Sequence, residues 1–146
     1  MTTLIDYAKA RFDYEILEST EAGIELLGLE VKSLKLKHGS LEGSYVLIRG
    51  GEAFLQNMLI PPYQEKNTPK SYEPRRPRRL IVSKKEIAGW ANAAKGLTIV
   101  PISIYTKRNL IKVQVALVRG KKKYDKRESI KRRESDREMS RVMKDR

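Results

Sequence analysis

The side chains with the clearest chemical potential in this sequence are closely spaced guanidinium groups. Arg75, Arg76, Arg78 and Arg79 surround Pro77 within five residues. Neighbouring guanidinium groups repel one another unless an anion neutralises them, and the planar arginine fork matches the oxygens of a phosphate. The cluster therefore predicts phosphate binding, with Arg78 and Arg79 as the leading donors. The alternative is a solvated loop that proline keeps extended.

Tyrosines and lysines elsewhere extend the same chemistry. Tyr63 and Tyr72 lie in the proline-rich stretch that leads to the arginines, and either ring could stack on an unpaired base, although packing is an equally good interpretation. Lys32 and Lys35 would be further phosphate donors if a predicted strand carries them over a nucleic acid. Glu30 on that strand would then orient them or accept from a base amino group. Ordinary solvent-facing charge is the alternative for these three residues.

Groups that support catalysis or metal binding are sparse. The sequence has one histidine, His38, and no cysteine, so a thiol nucleophile, a disulfide and a cysteine-type zinc site are excluded. His38 precedes Gly39 in a predicted loop and is best interpreted as a solvated side chain. The 18 Asp and Glu residues mostly alternate with Lys or Arg, which is typical of a balanced surface. We expect no catalytic residue, no metal and no cofactor.

The last part of the chain is a strongly basic segment. Residues 119–146 contain 13 Lys or Arg and 6 Asp or Glu, which gives +7 of the formal charge of +13. Because it has few aliphatic side chains, this segment cannot bury enough apolar area to offset the entropy of ordering it. We expect it to be disordered alone and helical on an anionic partner. In such a helix Arg133, Arg137 and Arg141 would share one face.

Alternating apolar residues predict short strands before this segment. The candidates are residues 14–17, 24–26, 29–32, 45–48, 53–55, 80–82, 97–100, 102–105 and 111–117. A turn or bulge is predicted at Glu21-Ala22-Gly23, turns at Gly50-Gly51 and Lys107-Arg108-Asn109, a bulge or bend near Ser33, and an edge or bulge at Pro101. The first eleven residues are expected to form a short lead with at most a turn of helix.

One amphipathic helix is predicted from its start signal and its apolar face. Ser83 and Glu86 have the spacing of a capping box, Ile87 and Trp90 begin an apolar stripe, and Gly96 is a natural stop. Short antiparallel strands with one main helix predict a mainly β fold of the small OB-type barrel class. We assign the barrel to residues 1–118 and the basic tail to residues 119–146.

Several short motifs occur along the chain in a specific order and spacing. They are Glu21-Ala22-Gly23, Glu30-Val31-Lys32-Ser33-Leu34, Ser44-Tyr45-Val46, Gly51-Glu52-Ala53-Phe54-Leu55, the Arg-rich approach to Leu80-Ile81-Val82, Gly96-Leu97-Thr98-Ile99-Val100 and Gly120-Lys121-Lys122-Lys123-Tyr124-Asp125-Lys126-Arg127. In combination they resemble the SmpB family, the SsrA-binding proteins that accompany transfer-messenger RNA in bacterial ribosome rescue. The resemblance covers nearly the whole chain.

The resemblance implies an RNA-binding protein without enzymatic activity. Its OB-type barrel would bind the tRNA-like domain of transfer-messenger RNA and deliver it to stalled ribosomes for trans-translation. The tail would fold in the decoding centre and the empty mRNA channel, mainly against small-subunit RNA. By motif, Glu21 and Ile81 match family RNA-binding positions, and Lys121 and Lys122 are assigned to RNA with them. The expected ribosome-contacting residues are Tyr124, Asp125, Lys126, Arg127, Arg133, Arg137, Arg141, Val142 and Met143.

Five positions depart from the family pattern, among them Lys37-His38, which stands where the family has Gly-Lys before the Ser-Tyr strand. Tyr7 and Phe12 stand where the family commonly has Asn and His. Tyr124 stands where the family often has a histidine, so an aromatic plane for stacking is kept and a group that can be protonated is lost.

Two other classes of function stay open at this point. One is a general basic protein associated with ribosomes or nucleic acid, without specificity for transfer-messenger RNA, and the other is an RNA-processing enzyme with an OB fold. No apolar run approaches the ~20 residues of a membrane span, and the N-terminus lacks the apolar core of a signal peptide. We therefore expect a cytoplasmic protein, monomeric and without a membrane partner.

Overall fold

The computed structural model describes residues 1–93 and 96–120, which contain seven strands and three α-helices. The strands are β1 (Thr2–Asp6), β2 (Tyr14–Ile24), β3 (Tyr45–Arg49), β4 (Glu52–Gln56), β5 (Arg78–Ile81), β6 (Leu97–Lys107) and β7 (Leu110–Gly120). The helices are α1 (Ala8–Asp13), α2 (Gly28–Lys35) and α3 (Lys84–Ala91), and a 3-10 turn lies at Glu65–Asn67. The predicted mainly β fold is confirmed.

The strands form one antiparallel sheet in the order β1-β6-β7-β2-β5-β4-β3. The sheet curls so that β3 comes close to β6, but no ladder among the described strands joins β3 to either β6 or β1. The result is a partly open barrel of OB-like form.

Two tight hairpins follow from local turn chemistry. Gly50 and Gly51 join β3 to β4 with φ angles of 58° and 76°, and Arg108 and Asn109 join β6 to β7 with φ angles of 51° and 65°. Two consecutive residues with positive φ match the right-handed twist of the strands they connect. Both predicted turns are confirmed.

The predicted turn or bulge at Glu21-Ala22-Gly23 is wrong, because these residues continue β2 in regular register with β7. Ala22 is buried opposite Val113 of β7. Gly23 lies opposite Ile81 of β5, and a Cβ built on it would be 3.2 Å from the Cβ of Ile81. The glycine therefore makes room for the neighbouring side chain and is not a turn. The irregularity of β2 lies earlier, between Ile16 and Glu18.

The predicted strand at residues 29–32 is also wrong, because they belong to helix α2. Glu30, Ser33 and Leu34 are all buried, and their spacing places them on one helical face. The Ser33 hydroxyl donates to the Pro61 carbonyl at 2.7 Å. The shift of apolar phase near Ser33 marks a change of period from two to 3.6, not a bulge.

The apolar core has two parts on opposite faces of the β6–β7 hairpin. The larger part fills the barrel and includes Leu34, Leu55, Ile104 and Val113, together with Trp90 of α3. The smaller part lies outside the hairpin, where α1 covers the sheet with Ala10; its other members are Val100, Ile102, Ala116 and Val118. The first eleven residues therefore form a strand and most of a helix that packs on the barrel, more structure than the predicted short lead.

Helix α3 begins as predicted and ends earlier. The Ser83 hydroxyl accepts from the Glu86 N–H at 3.2 Å, and Ile87 and Trp90 are buried. The helix ends at Ala91, five residues before Gly96. Pro101 lies at a bulge as predicted, but β6 is an interior strand between β1 and β7.

Strand β7 reaches Gly120, so the first two residues of the predicted tail segment belong to the sheet. The boundary at residue 118 otherwise stays a prediction, because residues 121–146 lie outside the described ranges. None of the helices in these ranges is long and apolar enough to cross a membrane.

Candidate nucleic-acid interface

The arginine cluster is organised by a buried carboxylate. Glu30 of α2 is 0% exposed, and its Oε1 accepts from the Leu27 N–H at 2.8 Å and from Nη2 of Arg76. Its Oε2 accepts from Nε of Arg78 at 2.7 Å. The Tyr72 hydroxyl lies 3.1 Å from Oε2 and donates to the carbonyl of residue 60 at 2.7 Å. The carboxylate therefore ties α2 to the proline-rich segment and to β5.

The structure leaves Arg78 no exposed surface for the predicted contact with RNA. Its side chain is 0% exposed, and its remaining donors reach the carbonyls of Met58 at 2.6 Å and Pro74 at 2.9 Å. An anion does neutralise the clustered guanidinium groups, but for Arg76 and Arg78 this anion is Glu30 and not a phosphate. Glu30 is correspondingly buried, not solvent-facing beside Lys32.

The ionised form of Glu30 is favoured despite its burial. Burial alone would raise the pKa of this carboxyl, but hydrogen bonds from Arg76, from the Leu27 N–H and from Arg78 together outweigh that effect and hold the pKa below its ordinary value. Burial raises the pKa of the Tyr72 hydroxyl, and the adjacent negative charge of Glu30 raises it further. The network is therefore an ionised carboxylate held among donors.

Outward-facing residues of β2 and β5 bring predicted RNA contacts together. Gly23 and Ile81 are register partners, and Glu21 precedes Gly23 by two residues on the same face of β2. Arg79 precedes Ile81 by two on the same face of β5. Ile81 is 55% exposed and its side chain lies over Gly23. Glu21, Arg79 and Ile81 thus share one solvent-facing surface, here called the outer sheet face.

Glu21 is held in place by a tyrosine and a lysine from β6. The Tyr105 hydroxyl donates to Glu21 Oε2 at 2.6 Å, and Nζ of Lys107 lies 3.4 Å from the same oxygen. The pKa of Glu21 is below its ordinary value, mainly because of the hydrogen bond from Tyr105. The positive charges of Lys107 and Lys112 lower this pKa further. Burial, with the bond to Glu21, raises the pKa of Tyr105 to about 12. Glu21 is a fixed anionic acceptor.

Arg79 remains accessible although it is paired. Its guanidinium lies 2.8 Å from Glu25 and 3.5 Å from Glu52, and 42% of its side chain is exposed. Exposed ion pairs of this kind contribute little stability, so the pairs can be exchanged for a phosphate at small cost.

Lys32 and Lys35 lie on α2, an element separate from the strands of the outer sheet face. Both are exposed, and Nζ of Lys32 is 5.6 Å from the ring centroid of Tyr63. This cation–π contact borders a groove of about 280 Å³ that is lined by Gln64, Asn67 and Thr68 among others. The structure does not place these lysines beside Glu21 in the sheet, and their predicted RNA contact remains a prediction.

Sequence reasoning missed a groove beside Glu21. This groove has a volume of about 440 Å³ and is lined by residues of α1 and of strands β1, β2, β6 and β7. Its lining includes Asp6, Arg11, Glu21, Tyr105 and Gln114. The alternation of β7 could have indicated this groove. Val113 and Val115 are buried, so Lys112 and Gln114, which alternate with them, must lie on the outer face of the sheet.

Other predicted site residues cannot be located. Lys121, Lys122, Tyr124, Asp125, Lys126, Arg127, Arg133, Arg137, Arg141, Val142 and Met143 lie outside the described residues. His38 is exposed, as predicted, and within residues 1–93 and 96–120 no group of three His, Asp or Glu side chains could hold a metal ion.

Comparison with known proteins identifies relatives over nearly the full chain. The family model described as SmpB protein matches residues 4–145. The SsrA-binding protein of Chlorobaculum tepidum is 49% identical over 97% of this chain and 92% of its own length, and that of Thermosipho africanus is 46% identical over 99% and 98%.

A solved structure, "tmRNA-SmpB: a journey to the center of the bacterial ribosome", contains a chain that is 39% identical to this one and matches its fold with a TM-score of 0.67. The match covers 86% of this chain and 93% of the other. These likenesses confirm the resemblance and the OB-like fold. The chain belongs to the SmpB family of SsrA-binding proteins.

Proposed function

We propose that this protein binds the tRNA-like domain of transfer-messenger RNA and delivers it to stalled ribosomes for trans-translation. The observation that carries the proposal is the outer sheet face, where the family's RNA-binding positions Glu21 and Ile81 lie on paired strands beside Arg79. Such a surface supplies a fixed acceptor, an apolar contact and a phosphate donor to one RNA segment.

The charge of the chain supports a polyanionic partner. The formal net charge is +13, and residues 119–146 contribute +7 of it. Salt-dependent attraction to phosphates then brings the RNA to the outer sheet face, while contacts on that face select the tRNA-like fold by shape. The proposed role is binding and delivery, without catalysis, in the cytoplasm where ribosomes work.

We assign the tail to the ribosome. By family motif, Tyr124 would stack in the decoding centre, and the basic residues that follow would contact small-subunit RNA along the empty mRNA channel. Truncation after Lys123, which keeps Lys121 and Lys122, is expected to leave RNA affinity near the full-length value and to abolish peptide tagging of stalled ribosomes. Full tagging by the truncated protein would refute this assignment.

A filter-binding titration tests the outer sheet face. Arg79→Ala and Ile81→Ala should each weaken binding of the tRNA-like domain, and Arg79→Ala should reduce the slope of log affinity against log salt by about one per lost phosphate contact. Lys66→Ala and Leu110→Ala are matched controls, since Lys66 is exposed in the 3-10 turn and Leu110 is 59% exposed at the start of β7. Equal effects of the controls would instead indicate a general basic nucleic-acid protein.

A further inference from the structure

The groove beside Glu21 has an anionic floor and a cationic rim. The floor carries the carboxylates of Asp6 and Glu21. Arg11 donates to Asp6 at 3.1 Å, and Lys107 lies 3.4 Å from Glu21. A phosphate inside would meet two carboxylates that already have partners, whereas a neutral group with N–H donors would find acceptors. The groove therefore favours the base of a nucleotide over its phosphate.

The shape of the groove follows from how α1 covers the sheet. Ala10 of α1 packs over Ala116 on the outer face of β7, and this cover stops before Gln114, two residues earlier on the same strand face. Gln114 pairs in register with Glu21 on one side and with Ser103 on the other. The side chains of Glu21, Gln114 and Ser103 therefore form a polar row across β2, β7 and β6. This row lies beside the part of the sheet that α1 covers, in a groove open to solvent.

The side-chain amide of Gln114 is available for hydrogen bonding to a ligand. Among the described residues its side-chain amide makes no hydrogen bond, although it is only half-exposed and lines the groove. Glu21 also keeps acceptor capacity, because a carboxylate has about four lone-pair sites and only two groups of the described residues donate to it: the Tyr105 hydroxyl at 2.6 Å and the Lys107 ammonium at 3.4 and 3.5 Å from the two oxygens. Tyr105 fixes the direction in which the remaining sites point.

We propose that this groove receives one unpaired guanine of the RNA and reads its Watson–Crick edge with Glu21 and Gln114. This inference rests on the proposed function. An unpaired purine can be splayed from an RNA loop and held by its edge in a protein slot. Guanine alone among the four bases presents two adjacent donors, N1–H and N2–H, for one carboxylate, with an acceptor, O6, beside them for an amide N–H. Its phosphates would remain at the rim beside Lys107 and Lys112.

Nucleotide-analogue interference on full-length protein tests the proposal. The tRNA-like domain is transcribed with sparse inosine phosphorothioate, which replaces guanosine and removes only the N2 amino group. Bound and free RNA are separated on a native gel and cleaved with iodine. We expect one guanine in an unpaired segment at which inosine lowers affinity about tenfold for the native protein, the loss of one charge-assisted hydrogen bond.

Variants then connect that guanine to the groove. Glu21→Ala should remove the interference at this position, because the side chain that accepts from N2–H is gone, and Gln114→Leu should weaken binding to guanosine and inosine RNA alike. Arg79→Ala, on the same face outside the groove, should weaken binding and keep the interference. Circular dichroism melting confirms that each variant is folded.

The outcomes separate the two proposals. Tight binding without interference at any unpaired guanine overturns the guanine proposal and leaves the proposed function intact, and this arm needs no variant. Interference that survives unchanged in Glu21→Ala also overturns it. Failure of the native protein to bind the tRNA-like domain overturns both. Interference that disappears in Glu21→Ala and persists in Arg79→Ala supports the guanine site.

Discussion

Replacing Glu30 by Gln tests whether the buried carboxylate organises the protein. The substitution keeps the shape of the side chain and removes the charge that neutralises Arg78, whose side chain is fully buried. Removing one member of a buried ion pair leaves the other charge buried without a partner, which lowers the free energy of unfolding by about 3–5 kcal/mol. Typical domains have a free energy of unfolding of about 5–15 kcal/mol, so the loss is a large share of the total.

Urea unfolding followed by fluorescence measures this loss. Trp90 is the only tryptophan in the sequence and is buried in the core, so its emission reports global unfolding. With a denaturant slope of about 1–3 kcal/mol per molar, the midpoint for Glu30→Gln should fall by at least about 1 M. The control is Glu15→Gln, which removes an exposed pair with Arg119 at 2.7 Å and should cost at most about 1 kcal/mol.

A double-mutant cycle supplies the result that would refute the reasoning. Once Glu30 has become Met, the buried charge of Arg78 has lost its counter-ion, so Arg78→Met should then cost far less than it does alone, with a coupling of about 1–3 kcal/mol. Additive losses, or a loss below about 1 kcal/mol for Glu30→Gln, would show that the pair is not a stabilising unit.

The pH dependence of stability gives an independent check on Glu30. Its pKa in the folded protein lies below its ordinary value, so its contribution is complete above the ordinary value and is lost as the pH falls through the lowered pKa. The native protein should therefore lose stability on the acid side more steeply than Glu30→Gln, as measured by urea midpoints across the acid range. Parallel curves would contradict an ionised Glu30.

Two further predictions concern the outer sheet face. Tyr105 should titrate at about 12 by phenolate absorbance, identified by subtraction of a Tyr105→Phe spectrum, and Glu21→Gln should lower that pKa because the hydrogen bond to a carboxylate stabilises the protonated phenol. The stability from this bond is present below the ordinary pKa of tyrosine and is lost as the pH rises through about 12; an unchanged titration would exclude the bond. Gly23→Ala should displace Ile81, since the new Cβ would lie 3.2 Å from that side chain, and weaken RNA binding with a stability loss of about 1–3 kcal/mol. Gly28→Ala, where no atom lies within 4 Å of the added Cβ, is the control.

The parts of the fold that the sequence predicts well depend on local chemistry. Gly50-Gly51 and Arg108-Asn109 adopt positive φ within their own turns, and Ser83 caps α3 through a residue three positions away. Such interactions are complete within a few residues, so a pattern in the sequence is sufficient to find them.

The wrong predictions share a different cause, which is contact between distant parts of the chain. Glu30 makes α2 a buried helix by pairing with arginines 46 and 48 residues away. Within residues 29–32 alone, charged residues alternate with apolar ones, and this pattern is typical of a strand. The same separation explains why the sequence predicted Arg78 to be a phosphate ligand. The anion that neutralises it, Glu30, lies 48 residues away in the sequence.

Alternation along β5 connects the buried network to the proposed RNA contacts. Arg78 and Leu80 point inward and are buried, while Arg79 and Ile81 point outward and are exposed. The hydrogen bonds that fix Arg78 therefore also fix the height and direction of the two outward side chains, which lie one and three residues farther along the same strand. RNA affinity should then decrease in Glu30→Gln even though this side chain has no exposed surface, because its carboxylate sets the position of the strand that the RNA contacts.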